Sequence, residues 1–185
     1  MGQQFPALKE KHIKFIQAQK LFFVGTAAAE GRVNVSPKGM DSLRVIDPNT
    51  VAWLNVTGSG NETSAHIQQL PRMTVMLCAF EGAPVILRMY GTAKVLHSGS
   101  PDWSQYLDLF PTLPGTRQIF LLNIDLVQTS CGMGVPLFDY SGDRDALNRW
   151  AVKKGESGIQ QYWTQKNQVS LDGQPTQILE RSNLV

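Results

Sequence analysis

The chain has 185 residues, 42% hydrophobic and 17% charged, which suits one folded domain with a proper core and excludes a disordered chain. Its net charge of +2, with basic and acidic residues interspersed, gives no electrostatic case for nucleic acid or an anionic membrane. Two cysteines, Cys78 and Cys131, make no disulfide framework, no run reaches the about 18 apolar residues of a membrane span, and MGQQFPALKEKH carries no signal pattern, so the expected setting is cytoplasmic.

In chain order, Leu8, His12, Phe15 and Ile16 stand at helical spacing and predict a first helix over 6–19, with Pro6 at its start. The period then drops to two. Leu21–Ala27 reads as a strand, Glu30-Gly31 as a hairpin turn, and Arg32–Ser36 as a second strand closed by Ser36-Pro37-Lys38-Gly39. Leu43–Ile46 is a short strand and Asp47-Pro48-Asn49-Thr50 a turn by composition.

The segment VAWLNVTGSGNETSAHIQQL, residues 51–70, is an apolar strand, a glycine-rich turn and a short helix ended by Pro71. Such a turn at a helix start offers unpaired N–H donors and partial positive charge, and so can hold a phosphate. The alternative is an ordinary connection with Ser59 or Asn61 as N-cap. Two strands follow, Met73–Phe80 and Val85–Leu96, joined by Glu81-Gly82-Ala83-Pro84. A helix over Pro101–Phe110, a long strand over Arg117–Thr129 and one or two helices within 142–165 complete the pattern. Six or seven strands with short connections lack the alternating rhythm of a doubly wound fold. They predict a mainly β chain: an antiparallel barrel in a single domain over 1–185, with its core about 20–130 and a helical extension about 137–185.

No metal site is expected, because His12, His66 and His97 fall on separate elements without ligand spacing. There is no GxSxG elbow, and the turn lacks the Gly-Lys-Ser/Thr end of a P-loop. What remains is anion binding by the turn, with Lys38, Arg44 and Arg88 as nearby cations. A charged residue inside the apolar run VILRMY needs a partner or a ligand, unless Arg88 simply faces outward on a half-exposed strand. Lys38 and Arg44 have the same alternative, a solvated end or edge.

The succession LFFVGTAAAEGRVNVSPKG, TVAWLNVTGSGNETSAHI, RMTVMLCAF and ILRMYGTAKV resembles the pyridoxamine 5′-phosphate oxidase-like family of FMN-binding split barrels over about residues 10–130. The resemblance implies an antiparallel FMN-binding split barrel, a homodimer with two FMN sites at the subunit interface, and oxidoreductase chemistry on an unknown substrate. By the same resemblance Val35, Ser36, Pro37 and Lys38 run beside the isoalloxazine ring, and Leu54 and Asn55 touch the flavin. Ser59, Gly60, Asn61 and Thr63 take the phosphate, and Arg88 lies on a further flavin-facing strand.

This sequence has Asn61-Glu62 where the oxidase has an Arg-Lys pair, and it lacks the oxidase's C-terminal arginine–histidine motif, so pyridoxamine phosphate is not the expected substrate. Glu62 is expected to point away or to cap the helix backbone. No catalytic residue is assigned. Cys131, in CGMGVP, either reaches the flavin or is a packed thiol at a barrel-edge turn. The alternatives are a flavin or haem carrier without turnover, or the deazaflavin F420 in place of FMN. No nucleic acid or membrane is expected as a partner.

Overall fold

The computed structural model describes residues 2–185. The chain opens with β1 (Gln3–Phe5), α1 (Glu10–Ala18) and the hairpin of β2 (Phe22–Thr26) and β3 (Asn34–Lys38). Then come β4 (Leu43–Asp47), β5 (Thr50–Val56), α2 (Glu62–Gln69), β6 (Arg72–Cys78) and β7 (Val85–Leu96). The chain ends with α3 (Trp103–Leu107), β8 (Thr116–Cys131), α4 (Ala146–Lys166) and α5 (Ile178–Arg181). Every strand pairing is antiparallel, in the order β3-β2-β6-β7-β8-β5-β4, with β1 added on β8. The eight-stranded sheet does not close: β3 and β4 are its free ends. This is the mainly β, antiparallel split-barrel architecture expected from the sequence.

Three details differ from the sequence expectation. β1 is an extra strand, unreadable in three residues, Gln3-Gln4-Phe5, that have no alternation to show. The first helix starts at Glu10 rather than at Pro6, because Lys9 is the N-cap and the His12 ring nitrogen accepts the Lys9 N–H at 3.1 Å. Pro37 lies inside β3 instead of closing it, which a proline can do on an edge strand because no neighbour asks for its missing N–H.

The core follows from strand parity. In β5, Val51 and Trp53 enter the main cluster with Phe22, Val24, Val75, Leu77, Leu87, Met89, Phe120 and Leu122. Ala52 and Leu54 point the other way, to a second cluster with Leu96, Ile119 and Leu121 under α3. Both faces of β5 and of the first half of β8 are therefore covered. The sheet bends at a β-bulge between Tyr90 and Gly91, where a Cβ on Gly91 would stand 1.9 Å from the Asn123 carbonyl oxygen.

Residues 132–145 run without helix or strand. α4 is broken at Gly155, whose φ of 66° takes the backbone into the left-handed region. Ala151, Ile159 and Trp163 of α4 pack with Ile178 and Leu179 of α5 in a third cluster. Among the described residues no helix is long and apolar enough to cross a membrane.

Candidate functional site

Because the sheet stays open, the inward side of β3 faces β5 across the split. Along β3, Asn34, Ser36 and Lys38 alternate inward while Val35 and Pro37 are exposed. With Trp53 and Asn55 of β5, the turn Gly58–Asn61, Glu62, Thr63 and Arg117 of β8, they line a hollow of about 290 Å³. A smaller space of about 160 Å³ continues from it past Leu54 and Leu113. Together these volumes fall within the roughly 300–1,000 Å³ of small-molecule sites.

The electrostatics of the hollow are one-sided. Arg117 is 4% exposed and donates from Nη1 to the Gly60 carbonyl at 3.0 Å and to Asn167 Oδ1 at 2.8 Å. With the Asn55 amide turned so that both of its ends are satisfied, its oxygen accepts from Arg117 Nη2 at 3.0 Å and its nitrogen donates to the Val56 carbonyl at 3.2 Å. All of these acceptors are neutral. Lys38 Nζ stands 5.0 Å from the centroid of the Trp53 ring, a cation–π contact. Neither cation has a carboxylate partner among the described residues. Burial pushes Arg117 down to about 9, and burial together with the nearby Arg117 pushes Lys38 down to about 8. Both values leave the groups largely protonated at neutral pH, and an anion bound between them would raise both.

Three polar atoms on residues that line the hollow are buried without any hydrogen-bond partner: Ser36 Oγ, Arg117 Nε and Asn61 Oδ1. Buried polar groups are normally paired, so these three stand out. Two of the three are donors and the third is an acceptor. The first N–H groups of α2 have no partner inside the helix and add partial positive charge at the same place. Asn61 is the N-cap residue of α2, but its side chain makes no capping bond; its Nδ2 donates instead to the Asn167 carbonyl at 3.4 Å. Glu62, the one carboxylate in the lining, turns both oxygens to the Leu171 N–H at 3.0 Å.

The structure thus brings together Ser36, Lys38, Asn55, Ser59, Gly60, Asn61 and Thr63 of the expected site. Val35 and Pro37 lie on the same strand with their side chains outward, and Leu54 is buried in the second cluster. Arg88 is elsewhere: on the face of β7 opposite the core residues Leu87 and Met89, it donates to Ser130 Oγ at 3.1 Å. Arg44 binds the Asp41 carboxylate at 2.8 Å and the Leu109 carbonyl at 2.9 Å, outside the hollow. Cys131 is exposed at the end of β8, opposite Val85, and lines no part of the hollow. The histidines are buried at three separate places, His66 against Thr26 Oγ1 at 3.1 Å and His97 with neither ring nitrogen bonded.

Arg117, Trp53 and Asn167 are the site residues that sequence reasoning missed. The signal for Arg117 was present, since it is a charged residue opening the apolar run RQIFLLNI, the same anomaly that drew attention to Arg88.

A hollow in the split of an antiparallel barrel, with two unmatched cations beside a glycine-rich helix start, makes this a split-barrel architecture with a candidate anion site. A sequence model described as pyridoxamine 5′-phosphate oxidase matches residues 8–131. A pyridoxamine 5′-phosphate oxidase family protein of Aspergillus flavus is 38% identical over 177 residues, spanning 85% of this chain and 70% of that protein. The chain belongs to the pyridoxamine 5′-phosphate oxidase family. Among solved structures, HupZ of Group A Streptococcus superposes with a TM-score of 0.54 at 18% identity, over 66% of this chain and 98% of that one. A candidate pyridoxamine 5′-phosphate oxidase of Lactobacillus delbrueckii gives 0.53 at 23%, over 66% and 94%. These two likenesses show the fold.

Proposed function

We propose that this protein is an FMN-binding flavoprotein and an oxidoreductase whose hollow takes the phosphate end of the cofactor. The observation that carries the proposal is the pair of the half-buried Lys38 and the buried Arg117, two cations without an anion, beside the Ser36, Asn61 and Arg117 atoms left unbonded. In this reading Arg117, Lys38, Ser36, Thr63 and the turn's N–H groups hold the phosphate. Asn61 Oδ1 accepts from a hydroxyl of the ribityl chain, and Trp53 walls the path towards the ring. When bound, FMN supplies hydride and electron transfer, and the chain binds, orients and tunes it. The residues at the turn fit the phosphate by backbone amides and by Arg117, reached from a distant strand, in place of the Arg-Lys pair at the turn itself.

The proposal includes a homodimer, supported by the exposed apolar side chains of Met133, Leu137, Phe138 and Tyr140 on the irregular arm after β8. It also includes a cytoplasmic setting, supported by Cys78 and Cys131 standing as free thiols. Purified protein titrated with FMN should quench the flavin fluorescence at one FMN per chain. Colourless protein that leaves the fluorescence unchanged would refute the proposal.

A further inference from the structure

The segment after residue 131 lies outside the family match, yet it reaches the hollow. α4 is followed by its C-cap residue Asn167, which is completely buried at the point where the helix stops. Its side-chain oxygen accepts from Arg117 Nη1 at 2.8 Å, and its Nδ2 donates to the Gly58 carbonyl at 3.2 Å. Its own carbonyl accepts from Asn61 Nδ2 at 3.4 Å and from Thr176 Oγ1 at 2.6 Å. One turn earlier, Trp163 Nε1 donates to Thr57 Oγ1 at 2.8 Å. Four residues later the Leu171 N–H holds the Glu62 carboxylate, and Asp172 accepts the Arg32 N–H at 2.8 Å on the β2–β3 loop. Residues 163–176 are therefore a strap laid across the turn, the start of α2 and the hairpin of β3.

The strap has two electrostatic consequences. A neutral amide anchors Arg117 without cancelling its charge, which a carboxylate in that place would do through a paired, charge-assisted bond. Because a peptide's N–H points opposite to its preceding carbonyl, holding the Gly58 carbonyl against Asn167 turns the Ser59 N–H away from the strap. The Leu171 N–H meanwhile keeps the only carboxylate of the lining away from the anion.

We propose that this C-terminal strap is a working part of the anion site, with Asn167 as the positioning residue that aims Arg117 and the 58–61 turn at the ligand's phosphate. The inference rests on the phosphate reading above and goes beyond it by assigning the site's charge balance to a segment the family match does not contain.

The test compares FMN with riboflavin, which lacks the phosphate, on wild type, Asn167→Ala and the isosteric Asn167→Asp, with circular dichroism to check folding. Asn167→Asp carries the test if Asn167→Ala does not fold. Asn167→Ala should weaken FMN roughly ten-fold, as for one lost bond to a charged group. Asn167→Asp should weaken it more, and both should leave riboflavin within about two-fold. A folded variant that keeps the wild-type ratio of FMN to riboflavin affinity overturns the proposal, as does a parallel loss of both ligands, which would make the strap a support of the fold alone. Titration of tryptophan fluorescence with inorganic phosphate separates the two readings. Wild type that takes phosphate but no flavin, with phosphate lost in the variants, refutes FMN and supports the strap. Wild type that binds neither refutes both.

Discussion

Replacing Arg117 by methionine should leave the ligand-free protein close to its original stability while removing most of its affinity for FMN. The guanidinium makes bonds to Gly60, Asn167 and Asn55, all to neutral acceptors. Bonds to a charged group contribute about 1.5–3 kcal/mol each. Against them stands the burial of a cation with no counter-ion, whose penalty is also on the order of several kcal/mol. The two nearly offset, so the melting temperature without ligand should move by about 2–4 °C, the equivalent of roughly 1 kcal/mol in a chain of this size.

The liganded state has no such compensation. Loss of the charged contacts to phosphate should cost about 3 kcal/mol, roughly a hundredfold in affinity. At an FMN concentration 100 times the wild-type Kd, binding stabilises wild type by about 2.7 kcal/mol and the variant by only about 0.4 kcal/mol. Thermal melting with and without FMN therefore reads both effects in one experiment. A variant that melts many degrees early without ligand, yet keeps the full wild-type shift with FMN, would show that Arg117 only pins the fold, and the phosphate reading would fail with it.

FMN affinity should fall as pH rises through about 8, where Lys38 loses its proton because burial and then the Arg117 charge have lowered it from 10.5. Arg117, lowered to about 9, keeps most of its charge up to about pH 8.5, and the phosphate is already ionised above about pH 7, so Lys38→Met should give a weaker titration that is nearly flat between about pH 7 and 8.5; an unchanged slope in that variant would refute the assignment. Stability runs the other way, because between about 8 and 10.5 the unfolded chain holds a proton that the ligand-free fold does not, and this group makes the fold more stable as pH rises there. Gly91→Ala should lower stability in urea by more than about 3 kcal/mol, since its Cβ would meet backbone at 1.9 Å and β7 cannot yield without breaking the pairing to β8; a change below about 1 kcal/mol would mean that the bulge relaxes freely.

The strands were legible because two-residue alternation survives wherever one face is wet, as in β2 and β7, and because Gly and Pro mark the turns between them. β1 was not, having only three residues and borrowing its order from β8. The half of the site carried by one continuous stretch, from Asn55 to Thr63, was readable as a strand, turn and helix start. The half that makes it a charged site was not. Arg88 and Arg117 are the same anomaly in the sequence, and only pairing parity separates them: Arg88 falls on the outer face of β7, while Arg117 falls where β8 is covered on both sides. At Arg117 that cover includes Asn167, 50 residues later in the chain, and no local pattern announces it.

The position of the site follows from the sheet's failure to close. Had β3 paired with β4, Ser36 and Lys38 would have faced a filled barrel, where an ammonium without a counter-ion could not remain charged. With the split open, those residues face Trp53 and Arg117 across space that protein atoms do not fill. A protein interior normally closes such space or pairs such charges. Here neither happens, and the strap goes further by occupying Glu62, the one neighbour that could have neutralised them. The charge of the hollow is thus kept unbalanced by two independent features, the open edge of the sheet and the C-terminal strap, and on the function proposed above an anionic ligand balances it.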